Sequence, residues 1–477
     1  MSDEIRVSDE IRVLTRREAL KALGAIAGGA GLAMTVGARA ADDGKSRVSK
    51  PEQPLKLERP LTAIVMGAGN RGTVYGKYAL RNPGHLDVIG VAEPLPKRRA
   101  EYAQIHDIPE ENQFVTWEHV LKRPKFADVV IISMPDDLHH QPCLQALDAG
   151  YDILLEKPIA QSEQECREVL AKTQETGRIV GIAHVLRYAP YFVELRDIVR
   201  SGAIGDVVSV QHLEPVEFSH MNHSYVRGIW HNSKKSTPIL LGKSCHDLDI
   251  LNWIIGKHCT RITAFGRQSF YMEENAPEGS AARCLDCQVE VSCPFSALKL
   301  YVVKGQKVNK HLLEVVPTDP EEKKAAALKA MRTTDYGRCV FRMGDNDQPE
   351  HIVTSMEFED GITANFSMVG LCSYAGRRTR IMGTRGDIVG DMETFTHTDF
   401  LTGTKIRWDN TTQDIEGYER SGHGGGDMRL VRDFVEAVHK QDSGVLKSTV
   451  AASVESHVMG YRAEKSRLNG TVEEVSM

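Results

Sequence analysis

Excess basic charge is missing from this sequence. Its 59 lysines and arginines stand against 65 acids, a formal net charge of −6, whereas a protein that grips phosphates along a duplex needs the opposite balance, so nucleic-acid binding is excluded as the main activity. Long apolar runs are missing too: no stretch of eighteen consecutive apolar residues occurs, so nothing reads as a membrane span in the mature protein. What remains, 41% hydrophobic and 26% charged over 477 residues, is ordinary globular composition, long enough for two domains and an insertion.

The first forty residues do not read as fold. SDEIRV occurs twice, at 2–7 and 8–13, and Thr15-Arg16-Arg17-Glu18-Ala19-Leu20-Lys21 follows. A twin arginine, a weakly apolar stretch from Ala22 to Ala38 and the small-x-small site Ala38-Arg39-Ala40 describe a twin-arginine signal peptide over residues 1–40, with cleavage expected after Ala40. A membrane anchor would need a longer and more apolar span. The expected destination is the periplasm, reached through the twin-arginine export machinery in the folded state, so a cofactor would travel inside the protein.

After a polar linker (41–60), Leu61–Met66 has the short, β-branched, apolar character of a buried parallel strand. It runs into Gly67-Ala68-Gly69-Asn70-Arg71-Gly72, and a helical stretch (Thr73 to Leu80) follows. In that context a GxGxxG pattern reads as a dinucleotide loop. Gly67 permits the turn, Gly69 lets backbone approach the pyrophosphate, and Gly72 lets helix and strand pack. A second strand, Leu86 to Ala92, ends at Glu93, where an acid can accept from the adenosine ribose, which favours NAD over NADP. Lys97, Arg98 and Arg99 could attract a 2′-phosphate, but a solvated helix face is the plainer reading. Strands at 127–133, 151–155 and 178–184 alternate with helices near 136–149 and 162–176, so residues 61–185 read as a doubly wound α/β Rossmann domain. Met134-Pro135-Asp136 and Glu156-Lys157-Pro158 fall at strand carboxyl ends, where such sheets bind ligands.

The glycine loop, Pro135-Asp136-Asp137-Leu138-His139, Glu156-Lys157-Pro158, Arg187-Tyr188-Ala189-Pro190 and Cys245-His246-Asp247-Leu248-Asp249 occur in this order. On these segments the chain resembles the Gfo/Idh/MocA oxidoreductase family over residues 60–470. The resemblance implies a C-terminal α/β domain (186–470) with a large, mostly antiparallel sheet, substrate between that sheet and the nicotinamide, and homo-oligomers through the sheet. It further implies that Lys157 orients a substrate hydroxyl and that His246 is the acid/base. Cofactor contacts are expected from Gly67, Gly69, Asn70, Arg71, Gly72, Glu93, Met134, Pro135, His139, Glu156 and Lys157, and substrate contacts from Arg187, Lys243 and Asp249. One position departs from the pattern: where the family often has an aspartate four residues before the histidine, this chain has Gly242, followed by Lys243. Lys243, three residues from His246, is expected to lower the histidine's pKa and keep it neutral.

Strands are expected at 207–213, 261–266, 352–358, 363–369, 378–382 and 387–390. The segment Glu217 to Lys235 carries His220, His223, Tyr225, Arg227, Trp230 and His231; aromatic platforms and planar donors suit a sugar, so Tyr225, Arg227, Trp230 and His231 are candidate specificity residues. Its histidines could alternatively hold a metal. Of nine cysteines, Cys284, Cys287, Cys293 and Cys339 fall in an insertion at about 270–345; a structural zinc or iron–sulfur site competes with disulfides and with free thiols, and a metal is narrowly preferred. Cys143, Cys166, Cys245, Cys259 and Cys372 read as buried and inert. The glycine-rich run Gly422-His423-Gly424-Gly425-Gly426-Asp427 is either an active-site loop or a hinge.

Three functions compete: an oxidoreductase moving a hydride to or from a carbohydrate hydroxyl, with His246 taking the proton and Lys157 polarising the oxygen; a redox-assisted glycosidase on the same fold; and a sugar-binding protein with a vestigial dinucleotide site. The complete glycine loop with Glu93 argues against the third. Export argues for a cofactor that is regenerated in place.

Overall fold

Runs such as Val129–Ile132 and Asp152–Leu155, buried at every position, are satisfied only between two layers of helix, and the computed structural model places them there. It describes residues 54–305, 307–413 and 423–477; the twin-arginine segment and Gly422 lie outside the described residues. Strands β1 (Leu61–Met66), β2 (Leu86–Ala92), β3 (Gln113–Phe114), β4 (Val129–Ile132), β5 (Asp152–Leu155) and β6 (Val180–Ile182) form one parallel sheet in the order β3-β2-β1-β4-β5-β6. This is the doubly wound order, with its switch point between β1 and β4, where the loops diverge and leave a crevice. The helices near 136–149 and 162–176 are present at His140–Asp148 and Glu163–Thr176.

The two sheet faces are covered partly by the end of the chain. Leu430, Val431 and Phe434 of the helix Gly426–Lys440 pack on one face, and Val450, Val454 and Val458 of Val450–Asn469 pack on the other. Ile182 N donates to Ser448 O at 2.8 Å, so the tail also occupies the free edge of β6.

The second sheet has nine strands, β7 (Val207–Glu217), β8 (Cys259–Arg267), β9 (His351–Phe358), β10 (Thr363–Cys372), β11 (Arg378–Gly383), β12 (Gly386–Gly390), β13 (Thr394–Asp399), β14 (Lys405–Asp409) and β15 (Glu473–Glu474), ordered β14-β13-β12-β11-β7-β10-β9-β8-β15. Every pair is antiparallel except β7 with β10. Burial alternates along β9 and β10 as a half-covered sheet requires. Val208, Phe265, Val353 and Val389 are exposed on these strands.

β8 and β9 pair as a hairpin, and the insertion stands in place of its turn. The Glu350 carboxylate gathers the neck, accepting from Ser269 N at 2.8 Å and from Phe270 N. Above it Tyr301, Leu312, Ala327 and Met331 form a small core, so the insertion packs more of itself than its sequence suggests.

Candidate active site

The helix Asn70–Arg81 starts at Gly69 with no side-chain cap and no acid in its first turn, which leaves its N–H groups and positive end open to an anion. Gly67 has φ +95, and a Cβ on it would lie 2.7 Å from Ser133 O; a Cβ on Gly72 would lie 2.1 Å from Gly67 O. Both glycines are required by the loop itself. Gly69 differs, for nothing lies within 4 Å of its Cβ position, which leaves the close backbone approach a pyrophosphate needs. Glu93 is buried at the end of β2 and receives Ala68 N at 3.0 Å and Leu95 N at 3.1 Å, so it also holds the glycine loop in shape. These residues fit a dinucleotide.

Lys157 follows β5, and its bond to Pro158 is cis. Its Nζ donates to Gly242 O at 2.6 Å, an oxygen that also receives the Tyr225 hydroxyl at 3.4 Å. Main-chain oxygen therefore stands at the position where the family pattern places an aspartate. Glu156 is gripped by the Arg71 guanidinium and the Tyr75 hydroxyl, and Arg71 continues to Asp427 Oδ1 at 2.8 Å, which in turn lies 3.2 Å from His423 Nδ1. His423 faces His246 with ring centroids 5.5 Å apart. The glycine loop, the lysine strand and the glycine-rich tail are thus joined by one chain of charges, with Arg71 acting inside it.

His246 opens the helix Cys245–Ile255, buried, with Nδ1 lacking a hydrogen-bond partner among the described residues. Burial first, then the positive charge of Lys157, drives its pKa well below the ordinary value. The neutral, base-competent ring expected from the sequence is present, but the cation beside it is Lys157. Lys243 instead pairs with Glu214 at 3.0 Å, a correction to the expected role. Sequence reasoning passed over His184, which lies at the end of β6 with both ring nitrogens buried and without hydrogen-bond partners; its strand-end position was the available signal. His184, Cys245 and His246 bring their ligand atoms within 4.8 Å of one another. Lys157 opposes a second cation there, and burial pushes the Cys245 thiol up to about 12, so acid/base chemistry suits this group better than a metal.

Other candidates stand elsewhere. Arg187 and Asp249 are 2% and 1% exposed and pair with each other at 2.7 and 2.8 Å, locking the His246 helix in place and leaving neither aimed at a substrate. His139 bridges Pro158 O at 2.6 Å and Met134 O at 3.0 Å, so its ring fastens the two strand-end loops together. Its neighbour Pro135 caps the short turn Asp136–Leu138. His231 is tied to Gly228 O at 2.7 Å and lies 3.2 Å from Asp345. Arg227 is buried beside Cys284. Of the specificity segment, Tyr225 and Trp230 stay near the crevice, Trp230 Nε1 donating to Asp136 Oδ1 at 3.2 Å.

A model of the oxidoreductase family with an NAD-binding Rossmann fold matches residues 61–184, and one for that family's C-terminal α/β domain matches 196–475. The chain belongs to the Gfo/Idh/MocA oxidoreductase family. It is an NAD-binding oxidoreductase of that family. Among its relatives, the oxidoreductase YteT of Bacillus subtilis (strain 168) is 24% identical over 373 residues, 73% of this chain and 82% of YteT. The scyllo-inositol 2-dehydrogenase (NAD(+)) of the same organism is 26% identical over 221 residues, 44% of this chain and 58% of that enzyme. An inositol dehydrogenase homologue from Azotobacter vinelandii, solved with NADH and myo-inositol, shares the fold at TM-score 0.62 and 14% identity, covering 88% of this chain and 98% of its own. A levoglucosan dehydrogenase with NADH and levoglucosan does so at TM-score 0.64 and 16% identity, covering 88% and 100%.

On this family fold the insertion reaches back to the crevice. Lys310 N donates to Asn70 Oδ1 at 3.2 Å, Arg98 Nη2 to Lys310 O at 2.6 Å, Arg98 Nε to Glu314 O at 3.2 Å, and Lys97 N to Glu314 Oε1 at 3.0 Å. Trp230 packs edge-on against His311, centroids 5.0 Å apart. Arg98 therefore fastens a strap, Lys310 to Glu314, beside the glycine loop, which corrects the reading of 97–99 as a purely solvated face. Farther out, Cys284, Cys287, Cys293 and Cys339 line one cavity, with no disulfide among them. Cys143, Cys166, Cys245 and Cys259 are buried; Cys372 is half-buried. No helix among the described residues is long and apolar enough to cross a membrane.

Proposed function

We propose that this protein is an exported oxidoreductase that moves a hydride to or from a hydroxyl-bearing carbon of a sugar or sugar derivative and keeps its NAD through turnover. The observation that carries the reading is the meeting of a neutral, buried His246 on its helix with Lys157 from the carboxyl end of β5, beside a glycine loop fit for a dinucleotide. NAD, when bound, supplies the two-electron acceptor. Lys157 Nζ, released from Gly242 O, donates a hydrogen bond to the substrate oxygen and steadies its developing negative charge. His246 accepts the hydroxyl proton, its low pKa keeping the ring free to do so at neutral pH. Tyr225 and Trp230 offer apolar faces suited to a sugar ring.

Support for a retained cofactor comes from the strap across Asn70. Support for export comes from Arg16-Arg17 and the Ala38-Arg39-Ala40 site. The exposed Phe265 and Val353, paired across β8 and β9 at 69% and 45% exposure, support a homo-oligomer through the second sheet.

The test uses a carbohydrate panel deuterated at the reacting carbon. Label should reach the bound cofactor, and Lys157→Ala and His246→Ala should retain NAD while losing about a hundred- to ten-thousand-fold in rate. Label without net oxidation but with release of an aglycone would redirect the reading to glycoside cleavage. No label, with both variants as active as wild type, would refute hydride transfer.

A further inference from the structure

The cysteine cavity lies apart from the catalytic residues, and its chemistry is not used by the reaction above. Cys284, Cys287 and Cys293 come from consecutive short turns, and Cys339 is brought to them by the antiparallel bridge Arg283 to Arg338, with Cys339 N donating to Ala282 O at 2.9 Å. Four sulfurs from two distant segments thus share one wall-to-wall space, lined also by Arg227 and Phe341.

Arg227 sets the electrostatics. It is 2% exposed, its Nε goes to Arg338 O at 2.8 Å and its Nη2 to Phe295 O at 2.7 Å, with Cys284 Sγ at 3.6 Å. Its Nη1 is buried without a hydrogen-bond partner, and it has no ion pair among the described residues. Glu290, on the same wall, receives the Ser296 hydroxyl. A buried guanidinium without a counter-ion is strongly disfavoured, and four neutral thiols do not supply one. Thiolates bound to a metal group do. Ala297 N also points at Cys284 Sγ at 3.5 Å, the kind of N–H···S contact that stabilises a ligating sulfur.

Spacing distinguishes the possible occupants. A zinc ion with bonds of about 2.3 Å draws four sulfurs to within roughly 4 Å of one another. No three of these sulfurs are mutually within 4.8 Å. An iron–sulfur cube interposes its own iron–sulfide edges between the thiolates and does not require them so close. Cys284-x2-Cys287 and the proline directly after Cys293 are shared with the bacterial cluster-binding run, whose later cysteines are more closely spaced than the x5 step here. We propose that Cys284, Cys287, Cys293 and Cys339 hold a [4Fe–4S] cluster whose negative charge is balanced by Arg227 and whose part is to fasten the insertion that carries the strap.

The full chain, purified without oxygen, should contain about four irons and four acid-labile sulfides per molecule, with a broad visible absorption bleached by dithionite. Cys287→Ser and Cys293→Ser should lose both, and Cys372→Ser should keep both. If the serine variants fail to fold, the wild-type iron, sulfide and zinc counts decide alone. Zinc at one per chain, disulfides among the four cysteines, or four titratable thiols with no iron taken up from ferrous iron and sulfide under reducing conditions would each overturn the proposal. None of these outcomes depends on hydride transfer.

Discussion

Asp249 is the residue whose removal best separates a structural role from a substrate contact. Its two oxygens meet Arg187 at 2.7 and 2.8 Å with both residues essentially sealed from water. Burial pushes the Asp249 carboxyl above its ordinary value even against Arg187, so the pair gains little over an apolar substitute. Breaking such a pair is another matter: Asp249→Ala leaves a buried guanidinium, a loss of about 3–5 kcal/mol. Arg187 would keep Lys447 O at 2.7 Å and Ala452 O at 2.8 Å, which places the cost near the lower end, about 3 kcal/mol. The double variant Arg187→Met with Asp249→Leu should be more stable than Asp249→Ala, because no unpaired charge remains, yet stay about 1–3 kcal/mol below wild type, because Lys447 O and Ala452 O lose their donor. Urea denaturation of the four proteins, without substrate, reads this cycle. If Asp249→Ala unfolds at the wild-type midpoint while its KM rises about tenfold, equivalent to about 1.4 kcal/mol of binding, the carboxylate holds substrate and the structural account is wrong.

Gly69→Val should abolish NAD retention with the melting temperature of the NAD-free protein unchanged, since its Cβ position is open; a drop in that temperature would mean the loop needs the glycine for itself. Arg98→Ala removes two bonds to the strap and should speed NAD release in a dilution experiment without altering the hydride step, while unchanged release would deny the strap a retaining role. Burial holds His223 and His457 at about 3 and His311 at about 4 in the folded state. Because these folded values lie below the unfolded one near 6.5, the unfolded chain takes up the protons first, and stability present above pH 6.5 is lost as pH falls toward 4, by about 1.4 kcal/mol per histidine per pH unit. Urea midpoints equal at pH 7 and pH 5 would contradict that burial.

Five strands of the parallel sheet were legible because they are short apolar runs, whereas the two-residue edge strand β3, Gln113–Phe114, carries no such pattern. β13 and β14 were not, since each carries one large anchor, Phe395 and Trp408, stacked 5.4 Å apart, among threonines and charges. Lys157 was legible as a strand-end residue, its partnership with His246 was an expectation of the family resemblance, and the structure brings the lysine's charge to bear on that ring. The partners of Arg187, Lys243 and Arg227 were not, because a charged side chain's counter-ion is chosen by tertiary packing that no local spacing encodes. The same holds for the strap, which depends on where an insertion folds back.

The Arg71 to Asp427 contact joins residues 356 positions apart, and this has a consequence for biosynthesis. A ribosome releases the whole parallel sheet early, yet the charge chain around Lys157 stays open until the penultimate helix emerges. Occupancy by a dinucleotide and near-completion of translation are therefore coupled, and a chain truncated before Asp427 should leave the ribosome unable to retain its cofactor however well its first sheet has folded.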